Sequence, residues 1–375
     1  MPPRKIVCLL KTMALEKTSP QNKLTTVEVR TPARLHLGML SFGVPSVRSF
    51  GGIGVMVDRP GVQVRLRRSD HFLARGPLAE RTIEFAKRAA RAWNLSEKAA
   101  CSIEVLATPR AHVGLGSGTQ MALAVAAGMR RLFVPADCVS AEESDSEIHP
   151  TDNEWLFDTR DALDLAKAVG RGRRSCVGVY GFSRGGLIIE AGRFVTASPI
   201  DSGAGDMHDM SPMVARAKLP SLWRCVVIVQ RDSIGLHGEA EKAAFAAIPP
   251  MPVEISAELA RLALMQLLPA AVEENFVEFC DAVFRYGELA GKPFEQASAR
   301  LPHAVSMAQL IELLGELGIR GCAQSSWGPA VMACCESLEA AGALIEKFAS
   351  LGLAQQYEMI IARFDTQGAM LRVID

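Results

Sequence analysis

The most constraining feature of this sequence is a glycine-rich segment, PRAHVGLGSGTQ at residues 109–120, that separates an expected strand from an expected helix. Ile103, Val105 and Ala107 alternate before it, and residues 119–133 after it are rich in Ala, Met and Leu and contain no proline. Closely spaced glycines let the backbone turn tightly and approach a ligand. A helix that begins in such a loop presents free N–H groups and the positive end of its dipole, which favours a bound phosphate.

The glycine-rich segment has two interpretations. In the first, its backbone amides bind a phosphate or diphosphate, with additional hydroxyl donors from Ser117 and Thr119. In the second, it is an ordinary turn, and one of these two residues is the N-cap of the helix. Neither standard nucleotide motif fits, since Walker A requires Lys after its last glycine and the dinucleotide fingerprint requires Gly at position 119, where this chain has Thr119.

The N-terminal half mixes expected strands and helices. Alternating apolar residues predict strands at 27–37 and 62–66, and the sequence DRPG at 58–61 predicts a turn before the second of them. Helical spacing predicts helices at 78–93 and 154–169. Because strands and helices do not alternate in a regular βαβα rhythm, the predicted fold class is α+β.

Two further segments shape this half of the chain. Residues 176–182 and 187–191 are apolar and flank the sequence SRGG, which predicts a β-hairpin. Residues 136–153 are acidic, rich in Ser and aperiodic, and predict an exposed insertion. The predicted division is an extension at 1–26, an N-terminal domain at 27–205 and a C-terminal domain at 206–375.

The second half carries a second glycine-containing loop at residues 321–329. Apolar runs at 225–229 and 331–335 predict strands. Two or three helices are expected between 256 and 317, and a further one at 338–351.

Charge and cysteine content restrict the class of partner. The chain has 41 Lys+Arg and 41 Asp+Glu, and this balance argues against a nucleic-acid partner, which would favour a basic surplus. The nine cysteines include no C-x-x-C pair, which favours buried thiols in a reducing compartment, so a cytoplasmic location is predicted. No stretch approaches the ~20 apolar residues of a membrane span, so no membrane partner is expected.

Three segments, in this order, resemble the motifs of the GHMP superfamily of small-molecule kinases. TPARLHLG at 31–38 is similar to the first motif, Pro109 with GLGS at 114–117 to the phosphate-binding motif, and 321–330 to the C-terminal glycine motif. The kinases usually read GLGSSA, whereas this chain has Gly and Thr at positions 118 and 119.

Finer matches resemble one branch of this superfamily, the beta-ribofuranosylaminobenzene 5′-phosphate synthases. They lie at residues 35–38, 51–54, 112–120 and 170–182. The resemblance implies a two-domain fold, in which the N-terminal domain has a left-handed βαβ crossover and the C-terminal domain is an α/β sandwich-like unit.

The resemblance also implies a reaction of tetrahydromethanopterin biosynthesis. Phosphoribosyl pyrophosphate would be joined to 4-aminobenzoate without ATP, with release of pyrophosphate and carbon dioxide. Mg²⁺ that binds together with the diphosphate is the candidate cofactor. A homodimer and a monomer are both open as the assembly. An ATP-dependent GHMP kinase and a non-catalytic phosphosugar sensor are the rival hypotheses.

Candidate binding residues follow from the loop and from the resemblance. Arg34 and Arg171 are candidate clamps for a phosphate or a carboxylate, because a guanidinium fork matches these oxyanions; the alternative is an ordinary surface or ion-paired arginine. The diphosphate is expected to lie on Gly114, Leu115, Gly116, Ser117, Gly118 and Thr119.

The candidate catalytic residues are Arg34, His36, His112, Ser117 and Thr119. The two histidines are expected either to orient a substrate or move a proton, or to be hydrogen-bonded structural residues.

Three further residues complete the candidate site. Asp206 and Asp209 are candidate Mg²⁺ ligands because hard cations prefer carboxylate oxygens, and a solvated turn is the alternative. Trp327 is expected either to stack on an aromatic substrate or to fill the core.

Overall fold

A computed structural model of the chain describes residues 25–43, 48–96, 99–135, 154–193, 210–235, 238–294 and 304–374. The strands are β1 (Thr26–Met39), β2 (Gly52–Ser69), β3 (Leu73–Arg75), β4 (Ala100–Ala107), β5 (Glu154–Leu156), β6 (Leu187–Glu190), β7 (Met213–Ala217), β8 (Arg224–Gln230), β9 (Cys322–Gln324), β10 (Ala330–Cys335), β11 (Tyr357–Arg363) and β12 (Met370–Ile374). The helices are α1 (Ala79–Ala92), α2 (Ser117–Phe133), α3 (Thr159–Val169), α4 (Val177–Arg184), α5 (Gly238–Ala246), α6 (Val253–Leu262), α7 (Leu268–Val272), α8 (Phe276–Gly291), α9 (Ala304–Glu316) and α10 (Leu338–Ser350).

The first sheet has eight strands among the described residues, in the order β3-β4-β2-β1-β12-β5, with β6 pairing both β2 and β7. The long strand β2 pairs β6 through its first residues and β4 through its last, so it extends across two parts of the sheet. The parallel pair β3–β4 is joined by α1 and forms a βαβ unit. Its left-handed crossover stays a prediction.

Helix α2 lies directly on this sheet because its residues are small or flexible. Met121, Leu123 and Met129 are fully buried in a core shared with α1, α3 and α4. A Cβ atom built on Gly128 would lie 2.6 Å from Leu66 Cδ1, so only glycine allows this close approach of helix and strand. The predicted helix at 119–133 is confirmed, and it begins two residues earlier.

The second sheet has the antiparallel order β11-β8-β10-β9. Alternate residues of β8 point to opposite faces, as the period of a strand requires. Val226 and Ile228 pack against α9 and α10, whereas Val227 and Val229 share a core with α6–α8 and with Leu35 of β1. The two sheets are therefore joined by one apolar core, and the predicted α+β class is confirmed.

The predicted hairpin at 176–191 is wrong. Residues 177–184 form α4, and β6 pairs with β2 and β7. A Cβ atom on Gly181 would clash with Met56 Sδ of β2, and one on Gly178 would lie 3.6 Å from Arg34 Cδ. Gly181 therefore lets α4 pack closely on β2, where the apolar runs on either side of SRGG had suggested a hairpin.

Two other predictions in the N-terminal half are wrong. Residues 58–61, where a turn was predicted, lie within the continuous strand β2. The pairing of β2 with β1 shifts its register there, opposite Pro32 of β1. Helix α3 does not begin at residue 154. It begins after Asp158, which closes a capping box with Asp161, and residues 154–156 form β5.

The described residues include one helix that is long and apolar enough to span a membrane, Val253–Val272, with a mean hydropathy of 1.4. It runs through α6, a π-helical turn at Ala263–Leu267 and α7. Sequence analysis missed it because Glu, Arg and Gln residues interrupt the apolar run. A core helix of a soluble protein passes the same test, so the prediction of no membrane partner stays a prediction.

The domain division also stays a prediction, because its expected boundary at residue 205 lies outside the described residues. The insertion at 136–153 and most of the extension at 1–26 lie outside them as well. Strand β12, near the C-terminus, pairs with β1 and so belongs to the first sheet. The seven described cysteines are buried and free, as expected.

Candidate functional site

The three glycine-containing motifs, which are far apart in the sequence, meet at one place in the fold. The glycine-rich segment at residues 114–119 is called the phosphate loop. The Arg34 N–H of β1 donates to its Leu115 carbonyl (3.1 Å). The His36 N–H donates to Ser325 Oγ of the second glycine loop (2.9 Å), and the Ser326 N–H donates to the His36 carbonyl (3.0 Å). The three motifs that carry the resemblance therefore contact one another in the fold.

The phosphate loop needs its glycines for both conformation and space. Gly114 and Gly116 have φ angles of 96° and 66°, in the region that favours glycine. A Cβ atom on Gly114 would lie 2.5 Å from the Ser325 carbonyl oxygen, and one on Gly116 would lie 3.1 Å from Arg34 Cβ. Ser325 Oγ also donates to the Gly114 carbonyl (2.7 Å), so the second glycine loop supports the first.

The N-terminus of α2 presents the amides that the first interpretation requires. Gly116 is the N-cap, and none of the described residues caps the helix with a side chain, so the alternative of an N-cap at Ser117 or Thr119 is wrong. In the described part of the chain, the first amides of α2 with a backbone acceptor are those of Thr119 and Gln120, which both donate to the Gly116 carbonyl. The Ser117 and Gly118 amides precede them and are available to an anion.

Arg34 lies beside this helix end. Its Nη2 atom is 3.4 Å from Ser326 Oγ, and its Nε atom is buried with no hydrogen-bond partner among the described residues. Burial lowers the pKa of Arg34 to about 10, although the negative charges of Glu190 and Glu241 oppose this effect. The guanidinium remains charged at neutral pH and retains a donor for an oxyanion.

Arg171, the second predicted clamp, lies near Gly118 in the first turn of α2. Its Nη2 atom is 3.8 Å from the position of a Cβ atom on Gly118, and its Cζ atom lies 5.0 Å from the centre of the Phe85 ring. Burial, together with the positive charges of Arg81, Arg88 and Arg173, lowers the pKa of Arg171 to about 10. The predicted clamp is thus part of a cationic cluster rather than a single arginine.

Sequence analysis missed Glu190, which is fully buried at the end of β6. Its Oε2 atom accepts the Cys176 N–H (2.8 Å) just before α4, and its Oε1 atom has no partner in the described ranges. Burial raises the pKa of Glu190 to about 7, against the hydrogen bonds that lower it. The signal in the sequence was one acidic residue that directly follows the apolar run at 187–189.

The two candidate histidines occupy different environments. The His36 side chain is 3% exposed and Nε2 has no partner among the described residues, while burial, followed by the charge of Arg34, holds its pKa well below the ordinary value. Neutral His36 is suited to orient a group, which argues against its proposed role as a proton shuttle at neutral pH. His112 has a left-handed φ of 61°, and its carbonyl accepts the Gly235 N–H (2.8 Å); its role stays a prediction.

An aromatic cluster lies next to the second glycine loop. Trp327 packs edge-on against Phe245 and Phe294, with ring centres 5.6 and 5.3 Å apart, and Phe42 packs on Phe294 at 5.1 Å. Trp327 directly follows Ser326, the hydrogen-bond partner of Arg34. An apolar surface therefore lies close to the cationic one.

A metal site was predicted at Asp206 and Asp209, which lie outside the described residues. The described ranges contain no group of three or more His, Cys, Asp or Glu that could hold a metal ion. The arginine-rich surface at α2 does not favour a bare cation. Mg²⁺ stays a proposal.

Sequence comparison identifies the family. No protein-family model matches the chain. A protein of Archaeoglobus fulgidus named beta-ribofuranosylphenol 5′-phosphate synthase is 32% identical over 321 residues, which cover 83% of this chain and 88% of that protein. The chain belongs to this synthase family. A synthase of the same name from Methanothermobacter thermautotrophicus is 28% identical over 314 residues, covering 81% of this chain and 87% of that protein.

Solved structures place the synthase fold among the GHMP kinases. Homoserine kinase from Cytophaga hutchinsonii superposes with a TM-score of 0.58 and 16% identity, covering 95% of this chain and 99% of that one. Mevalonate diphosphate decarboxylase from Staphylococcus aureus gives 0.59 and 13%, covering 94% and 98%. These similarities show the fold alone, which agrees with the predicted one, and the relatives confirm the predicted branch.

Proposed function

We propose that this synthase is a phosphoribosyltransferase that joins phosphoribosyl pyrophosphate to a para-substituted benzoate and releases pyrophosphate and carbon dioxide. The observation that carries the proposal is the N-terminus of α2, whose first amides lie beside Arg34 at Gly116. Helix amides, the helix dipole and the Arg34 guanidinium all favour the charge of a leaving diphosphate.

The reaction exchanges three bonds and needs no external oxidant or reductant. The bond from ribose C1 to the pyrophosphate oxygen breaks, and its electron pair leaves with the pyrophosphate. The ring carbon that bears the carboxylate attacks C1, and the electron pair of the breaking bond to the carboxylate then restores the aromatic ring. Carbon dioxide leaves, and the product is a C-riboside that retains the 5′-phosphate.

The protein contributes mainly by stabilising developing charge. Arg34 and the Ser117 and Gly118 amides stabilise the departing pyrophosphate, and such preorganised donors usually supply the largest part of catalysis. Arg34 is held in place by the Arg34 N–H bond to Leu115 and by the Nη2 contact with Ser326, so little reorganisation is needed during the reaction.

The acceptor lies on the aromatic side of the site in this proposal. The rings of Phe245, Phe294 and Trp327 offer an apolar surface for a benzoate ring. Moving a carboxylate from water to such a surface destabilises the charged group and favours its loss as neutral carbon dioxide. The relatives' name specifies a phenol, so 4-hydroxybenzoate stands beside 4-aminobenzoate as the acceptor.

The test is an assay of purified protein with phosphoribosyl pyrophosphate and each benzoate labelled with ¹⁴C in its carboxyl group. We expect labelled carbon dioxide and pyrophosphate to appear in equal amounts, and the preferred acceptor to release them faster. If neither benzoate releases carbon dioxide, the transferase assignment is wrong.

The rival activities are tested in the same preparation. ADP released from ATP in the presence of candidate alcohols would favour a GHMP kinase. Calorimetric binding of phosphoribosyl pyrophosphate without any turnover would favour a sensor.

A further inference from the structure

Helix α1 brings two arginines that the proposed reaction has not used toward the mouth of α2. The Arg81 Nη2 atom lies 3.0 Å from the position of a Cβ atom on Gly118, and Arg171 Nη2 lies 3.8 Å from the same point. Arg88 is seven residues beyond Arg81 and so lies on the same side of the helix, two turns away. Its Nη1 atom is 3.8 Å from a Cβ position on Gly170, the residue before Arg171.

One aromatic ring holds the two guanidinium groups at Gly118. The Phe85 ring is 2% exposed, and its centre lies 5.8 Å from Arg81 Cζ and 5.0 Å from Arg171 Cζ. A ring face attracts a cation without neutralising it. Arg81 and Arg171 are therefore fixed near each other while both keep their charge.

The charges around Gly118 are strongly unbalanced. Arg81 and Arg88 both lie close enough to Arg171 to disfavour its charge, and Glu84 is the nearby acid that opposes them. Glu84 already forms an ion pair with Arg88. Such a concentration of like charge is costly unless an anion shares it, and guanidinium forks match the oxygens of a phosphate group.

We infer that Arg81, Arg88 and Arg171 form a second phosphate subsite, which binds the phosphate monoester of the ribosyl donor, whereas Arg34 and the loop bind the diphosphate. The inference rests on the proposed function, because that donor carries anionic groups at both ends of its ribose. Arg34 lies at Gly116, whereas Arg81 and Arg171 lie at Gly118, so the helix end is flanked by two cationic groups. The subsite would make the enzyme select a 5′-phosphorylated donor.

The test uses two probes that each carry one end of the donor, ribose 5-phosphate and inorganic pyrophosphate, with affinities measured by calorimetry on the full chain. The variant is Arg81→Gln. The matched control is Arg91→Gln, which makes the same change at an exposed position in the last turn of the same helix. We expect Arg81→Gln to weaken ribose 5-phosphate at least tenfold and to change pyrophosphate affinity less than twofold, while the control changes neither.

Two results would overturn the inference. If Arg81→Gln weakens pyrophosphate as much as ribose 5-phosphate, or more, the α1 arginines belong to the diphosphate site. If a folded Arg81→Gln variant binds both probes normally, Arg81 only packs on Phe85. Arg88→Gln repeats the measurement at an exposed residue, where a folding defect is not expected.

Failure of the proposed function has a different signature. In that case the wild-type protein releases no carbon dioxide from either benzoate, yet its affinity for ribose 5-phosphate still depends on Arg81.

Discussion

Replacing Gly118 by alanine separates the folding role of the α2 N-terminus from its binding role. Gly118 is the second residue of α2 and has an ordinary helical backbone rather than a left-handed one. Alanine is therefore expected to stabilise the helix by up to about 0.5–1 kcal/mol, the range for a helix interior. The new Cβ atom would lie 3.0 Å from Arg81 Nη2, which is the end of a flexible side chain and can move a few tenths of an ångström at low cost.

The same methyl group stands where the donor is expected to bind. Displacing one guanidinium from a phosphate removes a charge-assisted hydrogen bond worth about 1.5–3 kcal/mol. This loss corresponds to roughly tenfold to one-hundredfold weaker binding of phosphoribosyl pyrophosphate. The predicted result is a protein that is at least as stable as the wild type but binds its donor poorly.

Urea unfolding and calorimetric titration with phosphoribosyl pyrophosphate measure the two effects separately. Gly342→Ala is the matched control, since Gly342 lies inside α10 and has no atom within 4 Å of its Cβ position. It should gain stability with unchanged donor affinity. If Gly118→Ala is folded and binds the donor as tightly as the wild type, the end of α2 is not the anion site.

Three other predictions test the remaining parts of the site. Arg34→Gln should lower kcat/KM by about 10²–10³, as removal of one donor to developing charge typically does; a change below threefold in steady-state kinetics would exclude Arg34 from the reaction. Glu190 has a folded pKa raised from 4.5 to about 7, so it binds a proton in the folded state that the unfolded chain has lost. The contribution of Glu190 to the free energy of unfolding should therefore be fully present below pH 4.5 and fall by about 3 kcal/mol as the pH rises to 7, and urea titrations of the wild type and of Glu190→Gln should differ by this decline; an identical pH dependence of the two proteins would contradict the assignment. Trp327→Ala should raise the KM of the benzoate about tenfold and leave the KM of the donor unchanged, because tenfold corresponds to the upper end of the free energy of one aromatic pair. Equal effects on both substrates would indicate that Trp327 fills the core.

Much of the candidate site could be predicted because its signals are local. The glycine spacing at 114–118 and the small apolar residues of α2 act within a few residues of each other, and they set a tight turn followed by a buried helix. The order of the three glycine motifs likewise indicated the superfamily before any contact between them was visible.

Local patterns failed where packing decided the conformation. Residues 177–182 are mostly apolar, as a buried strand would be, but they belong to helix α4, in which Gly181 leaves room for the Met56 side chain of β2. Glu190 belongs to an apolar strand, and only the fold shows that it meets the start of α4. Neither outcome depends on residues near in sequence.

The sequence alone determined that a glycine loop opens into a buried helix, and it predicted that such an end binds phosphate. Only the tertiary structure decided what surrounds it. Arg81 and Arg171 are ninety positions apart in the chain, and they become neighbours because both pack on Phe85. Local order arises from neighbouring residues, whereas the charge that a site presents depends on which distant side chains the core brings together.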